Sequence, residues 1–388
     1  MNKKDFPHIH FYDQDFVDIY DRTWAWIADC WTNGGSQTKI SKIRFFYYPA
    51  RKTLDFLEQI LSSFFLVYSN RIYPASNGLD ALYTLQEPDG AIRSAYDIET
   101  GAPIFPEDNP LGVTLPLLSW AEFNLYHKTA NKKRVKEIMP ILSNYYRWLE
   151  ANFKMPNGLF STPLSSTGMI NSPRSEARYF IDFNATMAMN ALYLSALGDI
   201  LNDKDASFQY KRDYFSIKTR INSKMWNPED GFYYDLDENE IQVRTKTLGT
   251  YWLLLAEIPN EERAEKLIAK LKDPSCFGTD NPFPSLSVDH PAFDKKGQGF
   301  RGSVFPWLTF MVIKGLEKYY FYELARNSAI RHLYYILDSM HNSDQEANKR
   351  SNHPTVWSAY QPMNEGKAIW EGHPDWPLPN HFPSNGLS

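Results

Sequence analysis

The chain has 388 residues, with 41 basic and 46 acidic side chains and a formal net charge of −5. That balance builds no one-signed field of the kind nucleic acid or an anionic membrane surface requires, so polyanion binding is not expected. The two cysteines, Cys30 and Cys276, stand far apart and outside any C-x-x-C spacing, which excludes a disulfide framework and reads as two buried thiols.

The start, Met1 to His8, runs into polar and acidic residues instead of an apolar stretch, and no apolar run reaches membrane-spanning length. A cytoplasmic protein is the expectation. Phe, Tyr and Trp make up 15% of the chain, a density that fills a large core and also suits pockets that stack on sugar rings.

Apolar residues recur at helical spacing from end to end. In chain order the pattern predicts helices over Asp15 to Trp31, Thr53 to Tyr68, Leu115 to Lys128, Lys133 to Phe153 and Phe183 to Leu201. Further helices are predicted over Ala206 to Met225, Lys246 to Ile258, Glu261 to Leu271, Phe305 to Tyr320 and Tyr322 to Met340. Turn-forming clusters separate them, such as Pro88-Asp-Gly90, Pro156-Asn-Gly158 and Pro228-Glu-Asp-Gly231.

Three connections, Ile92 to Thr114, Phe160 to Ile181 and Cys276 to Gly302, exceed what a helix connection needs, and long ordered loops usually carry function. No low-complexity tract or like-charge block marks a linker, so residues 1–388 are read as one domain. Within it, 341–388 is expected to form a loop-rich C-terminal wrap.

Five motifs then occur in order between about Leu54 and Gly366. They are Gln86-Glu-Pro-Asp89-Gly90-Ala-Ile-Arg93, Thr167-Gly-Met-Ile170-Asn171-Ser-Pro-Arg174 with Asp182-Phe-Asn184 behind it, and Trp226-Asn-Pro-Glu-Asp-Gly231-Phe-Tyr-Tyr-Asp235. The series continues with Pro284 to Phe293 leading into Phe300-Arg301-Gly302-Ser-Val-Phe-Pro306-Trp307, and ends with Tyr360-Gln-Pro362-Met-Asn-Glu-Gly366. Together they resemble the loops "Q-x-x-D-G-x-I-x-R", "S-G-M-D-N-S-P-R", "W-x-x-x-x-G-F-Y-x-D", "S-x-x-D-P-A-F … W-R-G-P-V-W-P" and "E-Y-Y-x-P-x-T-G". These belong to glycosidases of the trehalase, processing α-glucosidase and mannosylglycerate hydrolase group. The resemblance implies an all-α fold, the (α/α)6 toroid of six-hairpin glycosidases, with the long loops on one rim.

That group's inverting chemistry needs a protonated carboxyl group to release the leaving oxygen and an ionised one to activate water, roughly 6.5–9.5 Å apart. By the resemblance the acid falls on Ile170 and the base on Ser358, while an early sugar-gripping "W-D" falls on Ile60-Leu61. None of these side chains transfers a proton. The implied protein is therefore glycoside-hydrolase-like, with its family acid and base positions substituted, and does not hydrolyse by the standard mechanism.

Two alternatives stay open. One is a carbohydrate-active hydrolase with a relocated acid/base pair, for which Glu176, Glu365 and Glu371 are the nearest carboxylates, with Asp97 behind them. The other is a repurposed toroid acting on an apolar substrate through cation stabilisation by aromatic faces. Ligand contacts are expected from Arg93, Asp97, Ile170, Arg174, Arg301, Trp307, Trp357 and Tyr360. For Arg301 the competing role is to tie its loop to Asp289, and for Glu176 it is an ion pair with Arg174 or Arg178. Asp235-Leu-Asp237-Glu238 is read as part of a turn. The nine histidines form no metal-ligand spacing and no phosphate loop occurs, so neither a catalytic metal nor a nucleotide cofactor is expected. The expected partner is a small-molecule ligand, a sugar or an apolar substrate.

Overall fold

The computed structural model describes residues 6–47, 52–341 and 358–363. Its helices in chain order are α1 (Gln14–Asp29), α2 (Phe56–Leu66), α3 (Asn77–Thr84), α4 (Leu118–Thr129), α5 (Lys132–Phe153) and α6 (Ile181–Leu201). Then come α7 (Lys204–Lys224), α8 (Trp252–Leu255), α9 (Glu261–Lys272), α10 (Pro306–Lys318) and α11 (Tyr322–His341). Short antiparallel ribbons pair β1 (Trp31–Asn33) with β2 (Arg44–Phe46), β3 (Thr53–Asp55) with β4 (Ala95–Asp97), β5 (Trp226–Asn227) with β6 (Phe232–Tyr233), and β7 (Asp235–Leu236) with β8 (Gln242–Val243).

Burial sorts the helices into two layers. Helix α6 buries residues all the way round, as an interior helix must, whereas α7 and α9 bury a single stripe. Packing follows the same alternation: α2 lies on α4, α4 on α6, α6 on α8 and α8 on α10, an inner ring, while α1, α3, α5, α7, α9 and α11 stand outside it. Contact between α1 and α11 joins the two ends of the outer layer. This is the architecture of an (α/α)6 toroid.

The alternation fixes where the loops go. A chain passing from an outer to an inner helix always arrives at the inner helix's N-terminus, so the segments 85–117, 154–180, 225–247 and 273–305 share one rim. Several returns are tight. Ala130 and Asn202, in left-handed backbone at φ 53° and 63°, reverse the chain between α4 and α5 and between α6 and α7. Side-chain caps fix the starts of α2, α5, α7 and α9: Asp55, Asn131, Asp203 and Asn260 each accept an amide from the first turn.

Three sequence expectations change in detail. The helix expected from Thr53 begins at Phe56, because Thr53–Asp55 pairs with Ala95–Asp97 as a strand. The stretch Lys246 to Ile258 is a 3-10 turn, Leu248–Tyr251, followed by the single turn of α8. Helix α3, only eight residues long, gave too short a periodic signal to be anticipated. The wrap expected over 341–388 lies outside the described residues apart from His341 and 358–363.

Candidate functional site

The rim is organised around the loop that enters α6. Arg174, with no solvent exposure, donates from Nη2 to Asp182 Oδ2 at 2.8 Å and from Nη1 to Asp235 Oδ2 at 3.3 Å. Nε also donates to Ser172 Oγ at 2.9 Å and Nη2 to Thr167 Oγ1 at 3.1 Å, and the guanidinium lies over the Phe180 ring. Asp235 Oδ1 in turn accepts the Ile181 amide at 2.7 Å, tying the β7 ribbon to the first residue of α6. Burial pushes the Asp235 carboxyl up to about 6, reinforced by Asp182 and opposed by Arg174. One guanidinium thus holds two buried carboxylates and the loop 167–174 at once.

That loop is tied to the loop preceding α10. Asn171 Oδ1 accepts the Phe300 amide at 2.7 Å, Asn171 Nδ2 donates to Gln298 O at 3.0 Å, and Arg301 Nε donates to Asn171 O at 3.2 Å. Val304 and Tyr360 exchange backbone hydrogen bonds at 2.8 and 2.9 Å, which brings residues 358–363 against the same segment. Ile170 and Ser358, the positions that the resemblance assigns to the acid and the base, therefore lie in segments that are both tied to the stretch 298–304 leading into α10.

Ile170 is 51% exposed at the tip of the anchored loop. Beside it Gly168, at φ +74°, leaves a gap: a Cβ there would stand 3.5 Å from Leu57 Cδ1 and 3.8 Å from Trp307 Cη2. The first turns of α2 and α10 thus bring apolar side chains to the floor of the rim. A hydrogen bond from the Ser165 amide to Asp108 Oδ2 at 3.2 Å joins this loop to the one preceding α4, which exposes Ile104, Phe105 and Leu111. Ser358 is buried and its hydroxyl has no hydrogen-bond partner among the described residues.

The other expected residues fall into distinct places. Arg174 and Tyr360, expected at the ligand, are instead fully buried, the first by its ion pairs and the second in its bridge to Val304 and edge-on to His332. Both position the rim. Arg93 is salt-bridged to Glu87, donates to Leu111 O at 2.9 Å and lies over Trp148 and Phe105, so it braces the loop that exposes Leu111.

Asp97 accepts from Thr100 N at 2.8 Å, Thr100 Oγ1 at 2.9 Å and Glu99 N at 3.0 Å. The Thr100 bonds hold its carboxyl below the usual range in a surface turn. Glu176 is exposed, and Arg174 is not its partner. Arg301 is exposed and bonded to Asn171, while Asp289 pairs with Lys246 and accepts from Ser287 Oγ. Trp307 is partly buried beside Gly168. Ile60 and Leu61 point into the core. Glu365, Glu371 and Trp357 lie outside the described residues.

Sequence reasoning missed Asn171 as the knot between two loops and Leu57 as part of the floor. It also missed the exposed Ile104, Phe105 and Leu111, whose signal was apolar residues inside a Pro-rich loop. Among the described residues no group of three or more His, Cys, Asp or Glu could hold a metal ion, and no helix is long and apolar enough to cross a membrane.

A family model for the mannosylglycerate hydrolase MGH1-like glycoside hydrolase domain matches residues 75–375. An uncharacterized protein of Borreliella burgdorferi is 46% identical over 373 residues, 96% of this chain and 77% of that protein. Among solved structures, the GH63 mannosylglycerate hydrolase from Thermus thermophilus in complex with glucose superposes with a TM-score of 0.73 at 18% identity, over 95% of this chain and 98% of that one. Neutral trehalase Nth1 from Saccharomyces cerevisiae does so with a TM-score of 0.65 at 12% identity, over 85% of this chain and 69% of that one.

Proposed function

The chain belongs to the family of mannosylglycerate hydrolase MGH1-like glycoside hydrolase domains, and on that premise we propose that it binds a saccharide at the rim without cleaving it by the two-carboxylate inverting mechanism. The observation that carries this reading is Ile170. Its loop is anchored by Arg174, Asp182, Asp235 and Asn171, yet the side chain presented at the tip is aliphatic. A scaffold that would aim a proton donor is kept while the proton donor is gone.

Four carboxylates of the rim have other work, whereas Glu176 stands exposed. Asp182 and Asp235 compensate Arg174, Asp289 pairs with Lys246 and Asp97 closes a turn. The serine at the base position has a hydroxyl too weakly basic to activate water. General acid and general base each contribute about 10²–10⁴-fold, so losing both removes most of a hydrolase's rate. What remains at the tip, Ile170 with Leu57 and Trp307 nearby, offers apolar surface to the less polar face of a sugar ring.

Mannosylglycerate, trehalose and aryl glucosides would be tested for binding by calorimetry and for turnover by sugar release. The expected result is binding of at least one of them without turnover, and inverting hydrolysis gained in the double variant Ile170→Asp/Ser358→Glu. Turnover by the wild-type chain that Glu176→Gln, Glu365→Gln or Glu371→Gln abolishes would overturn the reading and establish a relocated acid/base pair.

A further inference from the structure

Ile104, Phe105 and Leu111 are exposed on the loop preceding α4, and Ile170 is exposed on the loop preceding α6. Single exposed hydrophobics are ordinary, whereas a contiguous group marks a binding surface. Backbone hydrogen bonds make this group contiguous. The Phe56 amide, at the start of α2, donates to Ser94 O at 2.9 Å, the Ser94 amide to Gly112 O at 2.7 Å, and the Ile104 amide to Ala95 O at 2.8 Å. Phe105 leans on the same ladder, since a Cβ on Gly112 would lie 3.2 Å from its Cδ1. Leu57, next to Phe56, and Trp307 approach Gly168 from the other side, two residues from Ile170. An apolar strip thus runs from the Ile170 tip, past the first turn of α2, to Leu111, Phe105 and Ile104.

The strip offers few partners to hydroxyl groups. Arg93 is held by Glu87 and Leu111 O, the buried Asn109 bonds both ways to Val113, and Asp108 accepts the Ser165 amide. The branched aliphatic side chains present no flat face for a pyranose, and the Arg93 guanidinium lies over the Phe105 ring. The charged residues of the segment 102–112 are Glu107 and Asp108, both acidic and exposed, so an acidic group is opposed there. Beneath the floor, rings from four inner helices meet: Phe64 lies 4.3 Å from Trp120 and 5.7 Å from Phe310, and Trp120 lies 5.9 Å from Trp252. Phe310 stands one turn below Trp307 and Phe64 two turns below Leu57, so a ligand seated at the rim extends sideways along the loops instead of down the axis.

We propose that this strip is the aglycone subsite of the rim and takes the linear alkyl chain of an uncharged alkyl glycoside. The proposal rests on the saccharide reading of the rim: the sugar sits at the Ile170 tip and the chain lies over Leu111, Phe105 and Ile104. Methylenes covered by these side chains contribute affinity in proportion to the area removed from water and need no polar partner.

The test is calorimetric titration of the full chain with methyl, hexyl and octyl glucosides and mannosides below their micellar concentrations, beside the sugar-free octyl ether of tetraethylene glycol. Full burial of a methylene gives about fourfold in affinity, and half-covered on a surface strip it gives about twofold, so octyl glycosides are expected to bind about 100-fold more tightly than methyl glycosides. Phe105→Ser/Leu111→Ser changes two exposed positions, so it should keep the thermal midpoint and the methyl glycoside affinity while losing most of that gain. Phe208→Ser/Phe215→Ser, exposed on the outer helix α7, should retain the gain. Methyl glycosides that bind with no gain from longer chains would overturn the strip and leave the saccharide reading standing. An octyl ether bound as tightly as the octyl glycosides, or no binding by any glycoside, would overturn both. A gain that survives Phe105→Ser/Leu111→Ser would place the alkyl chain elsewhere and overturn the proposal as well.

Discussion

Arg174 and Asp182, eight residues apart, meet 2.8 Å from each other with neither side chain exposed beyond 1%. Asp235, from a different segment, completes the group at 3.3 Å. Because two carboxylates share one guanidinium, deleting the cation leaves uncompensated buried charge. Arg174→Met is therefore expected to destabilise the protein by about 3–5 kcal/mol, more than an apolar isostere costs at an unpaired site. Urea unfolding measures this, and a loss below about 1 kcal/mol would refute the buried-charge account.

Two buried groups oppose each other in their dependence on pH. Asp235 has a folded-state value of about 6, above its ordinary 3.8, so the folded form holds the proton more tightly and this contribution to stability falls as pH rises through that window. His332, bonded through Nδ1 to Asn281 Oδ1 at 2.8 Å, is pushed by burial from 6.5 to about 4, so its contribution rises with pH across nearly the same window. The two slopes oppose each other in the wild type. Asp235→Asn should leave a stability that rises between about pH 4 and pH 6, and His332→Gln one that falls. Unfolding curves with the wild-type slope in both variants would contradict this.

Gly249 carries a steric prediction. A Cβ there would lie 2.7 Å from Asp182 Oδ2 and 3.2 Å from Met169 Sδ, so Gly249→Ala should shift the acid and the loop behind Ile170. About 1–3 kcal/mol of destabilisation is expected, as for an overpacked core. A thermal midpoint unchanged from wild type would show that the loop yields freely.

Ile170 and Asn171, adjacent in sequence, should separate function from stability. Half exposed, Ile170 is expected to tolerate Ala within about 0.5 kcal/mol while ligand affinity at the rim changes. Asn171→Ala unties Phe300 N and Gln298 O and should cost about 1–3 kcal/mol. Hydrogen exchange would locate that loss in residues 298–302. Equal stability losses in the two variants would rule out this division.

Much of the ring was legible in the sequence, because helical periodicity, caps and turn residues act over a few positions. The long helices α5, α6 and α7 fall within two residues of the pattern that predicted them, and the motif from Thr167 to Arg174 marked the loop that enters α6. The identity of Ile170 was likewise plain. Harder to read was the division of labour within the motif, since Arg174 was expected to contact the ligand and lies buried, whereas Asn171 was assigned no role and ties two loops together.

Local sequence thus determined the helices, the long connections and the absence of a carboxyl group at Ile170. Tertiary structure alone decided that Arg174 meets Asp235 across 61 positions, that Asn171 reaches Phe300 across 129, and that the exposed apolar side chains of two loops meet at the start of α2. The reason is physical: propensity is a property of neighbours along the chain, while burial, and with it the cost of a charge or an unpaired hydroxyl, depends on which distant segments exclude water.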